Sequence, residues 1–315
     1  MGNKKIFLIT VDTEADNQWD VNHPITTENA KFLPRFQELC EKYDFKPVWL
    51  TDYEMACDPF FVTYMKPRQD AGLCEIGMHL HAWHTPPEYS LQKVNNQREY
   101  LIEYPPEIME QKIRTMTKLI TEKFGLAPTS HRSGRWTMNT QYFSLLAKYG
   151  YLTDCSVTPH VDWSHLCGAT GIPGSNYTNE PETPHYITKE ILEVPMTIRK
   201  VRFFNREYIS SFHNFLGETK RLLAGRYQWL RPDKTLSTKG LLQLAKQLSR
   251  NDQYIMFMIH SSELMPGGSP SFTSNESIEA LYLPMDCLFG KIKDLGYVGQ
   301  TLRKFTQDFG QNQED

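Results

Sequence analysis

Short apolar segments alternate with amphipathic segments along most of this 315-residue chain. Helical spacing of apolar residues is clear at 28–43 and 107–124, and further helices are predicted at 238–248 and 276–295. Such alternation is typical of parallel sheets with helical crossovers, and it predicts an α/β fold, a (β/α) barrel or a distorted relative of one. The eight predicted strands are residues 6–12, 47–51, 74–81, 129–132, 152–157, 191–197, 254–261 and 297–302.

Long segments without a strand or helix pattern interrupt this alternation at 82–106, 158–190 and 262–275. Each follows a strand that ends in a polar residue, and long loops in a compact domain usually form lids or binding walls. A further segment at about 201–234 is basic and aromatic and is predicted to be an insertion. We expect a single domain spanning 1–315.

Carboxylates follow the first predicted strand directly, in the sequence Asp12-Thr-Glu14-Ala-Asp16. In open or barrel-like α/β folds, the carboxyl edge of the strands is where ligands bind. The alternative is an acidic cap, because Asp and Glu also favour the first turn of a helix. A second polar motif at the same end of another strand favours the ligand site.

That second motif is a group of three histidines in the sequence Glu75-Ile-Gly-Met-His79-Leu-His81-Ala-Trp-His84. Residues two apart on a strand point to the same side, so His79 and His81 would face one point. His84 could join His79 only if the chain bulges. Imidazole is the commonest protein ligand for metals such as zinc, and the motif therefore predicts a metal site.

Polar residues also end three later strands of the predicted barrel. The fourth ends in Ser130-His131-Arg132-Ser-Gly-Arg135-Trp136, the fifth reaches Asp154, and the seventh carries His260 after five apolar residues. Carboxylates, histidines and an arginine would therefore meet at one rim. A metal-assisted hydrolase needs this mixture of ligands, base, orienting group and acid.

Composition restricts the partners and the compartment. A net charge of −3 and a pI near 6.4 argue against nucleic-acid binding, which normally requires a basic stripe. No stretch approaches the roughly 20 apolar residues of a membrane span, and the first strand begins too early for a signal peptide. The six cysteines are scattered, without a C-x-x-C pair, and are expected to be reduced. We therefore expect a cytoplasmic protein with no integral membrane segment.

The ordered motifs resemble those of the polysaccharide deacetylase superfamily, also called the NodB-homology or carbohydrate esterase family four superfamily. The resemblance covers residues 4 to about 300. The five matching segments are Val11-Asp12-Thr-Glu14, Glu75-Ile-Gly-Met-His79, His131-Arg132-Ser-Gly-Arg-Trp, Asp154-Cys-Ser-Val and Ile259-His260-Ser-Ser-Glu. The resemblance implies a distorted (β/α) barrel of NodB-homology type with seven or eight strands.

The chain departs from the family pattern in two places. Thr13 separates Asp12 from the acid that follows it, where the family usually has adjacent aspartates. Trp83 stands where the second histidine usually lies, four residues after His79. The second histidine is then His81 or His84, and strand geometry favours His81. The resulting H-L-H-x-W motif resembles a variant branch of bacterial envelope-glycan deacetylase homologues.

The resemblance implies one divalent metal ion, with zinc as the candidate, held by Glu14, His79 and His81. The ion would lower the pKa of a water molecule and bind the acetyl carbonyl.

It also implies roles for four further residues at the site. Asp12 would be the general base and His260 the acid for the leaving group. Arg132 would orient Asp12 and keep it ionised, and Asp154 would hold the tautomer of His260. The alternatives are a purely structural ion pair for Arg132 and a turn role for Asp154.

The implied activity is removal of an N- or O-acetyl group from a sugar of an intracellular glycan or envelope-polysaccharide precursor. Two other functions stay open at this point. One is a metal-independent hydrolase of a non-peptide C–N bond on the same fold, and the other is a non-catalytic carbohydrate-binding homologue. The metal content of the protein distinguishes the metal-dependent deacetylase from the metal-independent hydrolase. Any turnover excludes the non-catalytic homologue.

Overall fold

The computed structural model describes residues 4–18, 23–202, 225–233 and 236–314. The strands within these ranges are β1 (Lys5–Thr13), β2 (Pro47–Thr51), β3 (Glu75–Leu80), β4 (Ser130–Ser133), β5 (Thr153–Asp154), β6 (His185–Tyr186), β7 (Leu192–Glu193), β8 (Ile198–Val201), β9 (Arg226–Trp229), β10 (Tyr254–His260) and β11 (Tyr297–Gln300). The α-helices are α1 (Leu33–Lys42), α2 (Tyr53–Cys57), α3 (Pro59–Asp70), α4 (Pro106–Phe124), α5 (Thr140–Lys148), α6 (Thr238–Leu248), α7 (Asn275–Asp294) and α8 (Leu302–Glu314).

The main sheet follows the strand order β10-β1-β2-β3-β4-β5-β7-β6 and is parallel except for β6. β2 pairs with the second half of β1, and β11 pairs with its first half, at Lys5–Leu8. β8 and β9 form a separate antiparallel hairpin. Among the described strands no pairing joins β10 to β6, so the sheet curls without closing. The predicted α/β fold with a distorted barrel is confirmed.

Side chains from alternate positions of the strands fill the interior of the curled sheet. Ile6 and Leu8 of β1 lie in one buried cluster with Leu192 of β7, although these strands are far apart in the sheet order. Leu302 and Phe305 of α8 belong to the same cluster. The sheet must therefore curve round these residues, and α8 packs against its inner face.

Helix α8 covers the end of the barrel where the strands begin. The backbone N–H of Arg303 donates to Glu75 at the start of β3 (2.9 Å), and Thr306 hydrogen-bonds Thr153 at the start of β5 (2.6 Å). With that end covered, the opposite end, where the parallel strands finish, is left for a site.

The outward positions of the strands pack against helices. Phe7 and Phe257 contact Phe289 of α7, with ring centroids 5.6 and 5.4 Å apart. Trp49 of β2 packs edge-on against Phe36 of α1 at 6.0 Å. Residues of β1, β2 and β10 are therefore buried on both faces, which explains why these strands read as continuous apolar runs.

Each of the eight segments predicted as strands contains an observed strand. β5 and β7 are only two residues long, within longer predicted segments. Helices α2, α3, α5 and α8 and the β8–β9 hairpin were not predicted. In α3 the spacing of apolar residues is irregular and Pro67 lies inside the helix. In α8 the spacing of Leu302, Phe305 and Phe309 is the signal that could have identified it.

The predicted loops at 82–106 and 262–275 contain short 3₁₀ turns but no strand among the described residues, whereas 158–190 contains β6. Of the predicted insertion at 201–234, residues 203–224 and 234–235 lie outside the described residues. The single-domain assignment over 1–315 stays a prediction. Within the described ranges, none of the helices combines the length and the apolar character that crossing a bilayer requires.

Candidate active site

The side chains that point into the barrel change from apolar to polar where the strands end. In β1 the inward series Ile6, Leu8 continues with Thr10 and Asp12. Because side chains alternate with period two, the same rule places the last inward side chain of other strands in the same layer. These side chains are His79 of β3, Arg132 of β4 and His260 of β10.

Strand register brings these residues together in pairs. Asp12 lies opposite His260 in the β1–β10 ladder, and His79 lies opposite Arg132 in the β3–β4 ladder. The sequence prediction that these four side chains meet at one rim agrees with this geometry.

Glu14, His79 and His81 form a buried group whose ligand atoms all lie within 4.8 Å of one another. Nε2 of His81 lies 3.0 Å from Oε2 of Glu14, and Nε2 of His79 lies 3.8 Å from the same oxygen. Ligands about 2.0–2.2 Å from a tetrahedral ion lie roughly 3.3–3.6 Å apart. The two measured separations lie on either side of that range, so the geometry fits a zinc-sized ion after small adjustments.

The protonation states of this group also suit a metal ion. Burial lowers the pKa of His79 to about 4, so its imidazole is neutral at pH 7. Its Nδ1 donates to the backbone carbonyl of Arg132 (3.1 Å), which leaves Nε2 with a lone pair toward Glu14. Burial alone would raise the pKa of Glu14, but its hydrogen bond and charge interaction with His81 outweigh burial and keep this carboxyl ionised.

Two close contacts set the position of the His81 ring. Trp83 stacks on it, with ring centroids 4.4 Å apart and an interplanar angle of 19°. On another side lies Gly134, where an added Cβ would stand 2.6 Å from His81 Cδ2 and 2.6 Å from the carbonyl oxygen of Leu80. No residue with a side chain fits at position 134 unless the His81 ring and the Leu80 backbone move.

His84 and Asp16 lie outside this group. Nδ1 of His84 is 3.6 Å from Oε1 of Glu54 on α2. Asp16 accepts hydrogen bonds from Asn29 (2.6 Å) and Thr26 (2.9 Å) and ties the loop after β1 to the turn before α1. Of the two histidines that sequence reasoning left open, the one close to Glu14 is His81. Its role as a metal ligand stays a prediction.

Arg132 is fully buried and binds Asp12. Its Nη1 donates to Asp12 Oδ1, Nη2 donates to Thr10 Oγ1 (2.9 Å), and Nε donates to the carbonyl oxygen of Cys155 (3.0 Å). Burial would raise the pKa of Asp12, but the charge of Arg132, with a smaller contribution from that of His260, outweighs it and places this pKa below its ordinary value. Asp12 is therefore an oriented carboxylate at neutral pH.

His260 faces both carboxylates of the site. Its Nε2 lies 3.9 Å from Asp12 Oδ2 and 3.9 Å from Glu14 Oε1, and the side chain is 31% exposed. On the other ring edge, Nδ1 lies 3.3 Å from Glu263 Oε2, which also accepts the backbone N–H of His260 (3.0 Å). Burial lowers the pKa of His260, but the Glu263 hydrogen bond and the carboxylate charges raise it overall to about 9.

The carboxylate beside His260 is Glu263 and not Asp154, so the predicted pairing of Asp154 with His260 is wrong. Asp154 Oδ1 accepts from His131 Nδ1 at 2.6 Å, and both side chains are buried. The reason is the alternation along β5, because the neighbouring Cys155 belongs to the inner cluster and Asp154 therefore points to the outer face.

Sequence reasoning assigned no role to Glu263 or to its partner Arg231. Nη2 of Arg231 lies 2.5 Å from both carboxylate oxygens of Glu263, and this charge keeps the pKa of Glu263 far below its usual range despite burial. Glu263 could have been found from the sequence, because it lies three residues after His260 and so within reach of it. Arg231 follows β9, 32 positions away from Glu263, and has no such signal.

The site opens into a cleft of about 310 Å³, at the lower end of the range of roughly 300–1,000 Å³ for small-molecule sites. Asp12, Glu14, His79 and His260 line it. The remaining lining residues come from the end of β4 and from the segments that follow β3, β4 and β5: Gln97, Tyr100, Ser133, Arg135, Trp136, Trp163 and Leu166. The indoles of Trp136 and Trp163 are nearly parallel, with an interplanar angle of 4° and centroids 6.4 Å apart.

Comparison with known proteins rests on structure, since no sequence-family model and no curated protein sequence matches this chain. A solved structure described as a putative polysaccharide deacetylase from Mycobacterium smegmatis matches 99% of this chain and 93% of its own length, with a TM-score of 0.56 and 12% identity. The chain has the polysaccharide deacetylase fold.

A 4-alpha-glucanotransferase from Thermococcus litoralis also matches, over 96% of this chain and 40% of its own length, with a TM-score of 0.57 and 13% identity. At these identities the likeness is one of fold. Since proteins described by two different activities share the fold, the reaction has to be argued from the side chains of this site.

Proposed function

We propose that this protein is a metal-dependent hydrolase that removes an N- or O-acetyl group from a sugar of an intracellular glycan or envelope-polysaccharide precursor. The observation that carries the proposal is the buried Glu14–His79–His81 group, of which Glu14 and His79 line the same cleft as Asp12 and His260. A carboxylate and two imidazoles with an open side are the donor set of a catalytic zinc site, whereas a structural site is closed by four protein ligands.

Glu14, His79 and His81 would hold the ion in this proposal. A divalent ion bound there supplies a Lewis acid for the acetyl carbonyl and for the attacking water. The chain contributes the tautomer of His79, which is set by the Arg132 carbonyl, and the ring position of His81, which is set by Trp83 and Gly134.

Asp12 would accept the proton of the attacking water as general base. Its Oδ1 is occupied by Arg132, and its Oδ2 faces the cleft and His260. The guanidinium keeps the carboxylate charged, and a buried bond from Arg132 fixes its orientation. A base held this way needs no reorganisation when the substrate binds.

His260 would donate a proton to the leaving nitrogen or oxygen. Its Nε2 points into the cleft while Glu263 binds the other ring edge, so the proton available to the substrate is at Nε2. Arg231 holds Glu263 in place, and the pair therefore takes the positioning role that sequence reasoning gave to Asp154.

The proposed substrate class rests on the fold and on the walls of the cleft. Parallel indoles beside a small number of fixed polar groups are typical of a pocket that orients a small organic ligand. The intracellular setting is supported by the cysteines, all of which lie among the described residues and none of which forms a disulfide.

The test combines metal analysis with an acetate-release screen. Purified protein is stripped with a chelator, reloaded with zinc, cobalt or manganese, and incubated with N-acetylglucosamine oligomers, nucleotide-linked N-acetylglucosamine and O-acetylated oligosaccharides. We expect one ion per chain and metal-dependent acetate release. Turnover that persists without metal would favour the metal-independent C–N hydrolase, and bound metal without turnover on any substrate would favour a non-catalytic carbohydrate-binding protein.

His79→Ala and His84→Ala form a matched pair for this screen. The two histidines belong to the same motif, but only His79 is within the group that contains Glu14. Loss of both metal and turnover in His79→Ala, with both retained in His84→Ala, is the expected result. Equal behaviour of the two variants would contradict the proposed ligand set.

A further inference from the structure

Arg135 lines the same cleft as Asp12 and His260 but has no role in the proposed chemistry. Its guanidinium packs on the ring of Tyr100, with Cζ 4.3 Å from the ring centroid. Nη1 donates to the backbone carbonyl of Arg98, and Nη2 donates to that of Cys167 (3.1 Å). The side chain is therefore held in one orientation on the wall of the cleft.

The charge of Arg135 has no counterion in the part of the chain that the structure describes. Both hydrogen-bond partners of its guanidinium are neutral carbonyls, and no carboxylate there forms an ion pair with it. By contrast, Arg132 and Arg231 each bind a carboxylate, Arg132 that of Asp12 and Arg231 that of Glu263. A positioned arginine without an acidic partner, beside a cleft, is a candidate for binding an anion from solution.

The backbone at this position is strained. Arg135 and Trp136 have φ angles of 58° and 63°, in the left-handed region that residues with side chains rarely adopt. The preceding Gly134 lies so close to the Leu80 carbonyl oxygen that an added Cβ would stand 2.6 Å from it. Strained backbone of this kind persists mainly at binding and catalytic sites, where it places a side chain that an ordinary turn would direct elsewhere.

The other charged groups of the cleft already have partners. Asp12 binds Arg132, Glu14 lies 3.0 Å from His81, and His260 contacts Glu263. Arg135 is a charged lining residue whose hydrogen bonds go to neutral carbonyls. Two of its five N–H groups are used by carbonyls, which leaves the others for an oxyanion.

We propose that the sugar substrate carries an oxyanion, a carboxylate or a phosphate, and that Arg135 binds it and so sets which acetyl group faces Asp12 and His260. This inference rests on the proposed function, because it assumes that the cleft binds a sugar. A carboxylate and a phosphate would bind Arg135 in the same way, through negatively charged oxygens, and binding experiments can distinguish them.

The test measures binding of three deacetylated sugars, which undergo no turnover, to the zinc-loaded protein by calorimetry. They are glucosamine, muramic acid, which adds a carboxylate, and glucosamine 6-phosphate. We expect at least one of the two sugars that carry an oxyanion to bind about 10- to 100-fold more tightly than glucosamine, the factor that a charge-assisted hydrogen-bond pair supplies. The tighter of the two identifies the oxyanion. Equal binding of all three sugars would overturn the proposal.

Two substitutions distinguish anion binding from a structural tie between the loops that contain Arg98 and Cys167. Arg135→Gln should remove the preference for the anionic sugar and change glucosamine binding less than about twofold, whereas Arg135→Lys, which keeps the charge, should retain part of the preference. An equal loss for glucosamine, which has no oxyanion, and for the two sugars that carry one, in both variants, would show a structural role only and would overturn the proposal.

This readout is independent of acetate release. A protein that prefers the anionic sugar but releases no acetate from any substrate would refute the proposed reaction and leave the anion site standing. Acetate release with no preference for a sugar that carries an oxyanion would support the proposed reaction and refute the anion site.

Discussion

Replacement of Arg132 by methionine, Arg132→Met, should strongly destabilise the fold, and the structure allows the size of the effect to be worked out. The guanidinium is fully buried and binds Asp12, Thr10 and the Cys155 carbonyl. Methionine fits the apolar surroundings, which already include the sulfur atoms of two methionines near Nη2. The main loss is therefore electrostatic. Removing one partner of a buried ion pair costs about 3–5 kcal/mol, because the other charge stays buried without compensation.

The pH dependence of this effect follows from Asp12. In the wild type the pKa of folded Asp12 lies below the ordinary value of an Asp carboxyl, so its contribution to stability is present above that ordinary value and is lost as the pH falls through the folded pKa. In Arg132→Met the largest lowering influence is gone, and we expect burial, which is the largest single influence, to raise this pKa above the unfolded value. The penalty is therefore full at neutral pH and shrinks as the carboxyl takes up a proton. The stability gap between variant and wild type should narrow on acidification.

Urea unfolding of the wild type and the variant, followed by circular dichroism between pH 7 and pH 4.5 with EDTA present, measures this gap without a contribution from bound metal. The matched control is Asp12→Asn/Arg132→Met, in which the buried charge is absent. It should be at least about 1 kcal/mol more stable than additivity of the two single variants predicts. A destabilisation below about 1 kcal/mol, or a gap that stays constant with pH, would refute this account of the pair.

Three further predictions concern the site. His81→Ala should lose stoichiometric zinc while His84→Ala keeps it, as measured by elemental analysis; the opposite result would mean that the chain rearranges to use His84. Asp12→Asn should keep the metal and lower kcat by about 10²–10⁴, the usual contribution of a positioned base, whereas loss of metal would make Asp12 a ligand. Glu263→Gln should shift the high-pH limit of kcat/KM to lower pH, since Glu263 raises the pKa of His260 and activity is lost when that proton leaves; an unchanged limit would remove Glu263 from this role.

Local sequence patterns were sufficient for the elements with strong periodicity. The strand beginning at Glu75 and the helix ending at Phe124 were predicted within one residue of their observed ends, because buried strands and long amphipathic helices carry their burial pattern in the sequence. Helix α3 was missed because its burial is decided by contacts with other elements. Phe61 and Met65 are the two buried residues of that helix, which is too few for a periodic pattern.

The approach of His79 and His81 to one carboxylate was also readable from the sequence. It depends on the two-residue period of a strand and on the rule that parallel strands end at one edge. The same reasoning failed for Asp154, because a polar residue in a strand that is buried on both faces carries no local mark of the face it occupies.

Which face a strand residue occupies, and which partner it meets there, is decided by packing. The inward position of Cys155 turned Asp154 toward His131, and the hairpin of β8 and β9 brought Arg231 to Glu263 from a distant part of the chain. The sequence by itself therefore determined the alternation of strands and helices, the edge at which the polar residues collect and the pairing of His79 with His81. The tertiary structure decided the partner of His260 and the placement of Arg135 on the wall of the cleft, since such long-range contacts depend on how the sheet curls and leave no periodic trace in the chain.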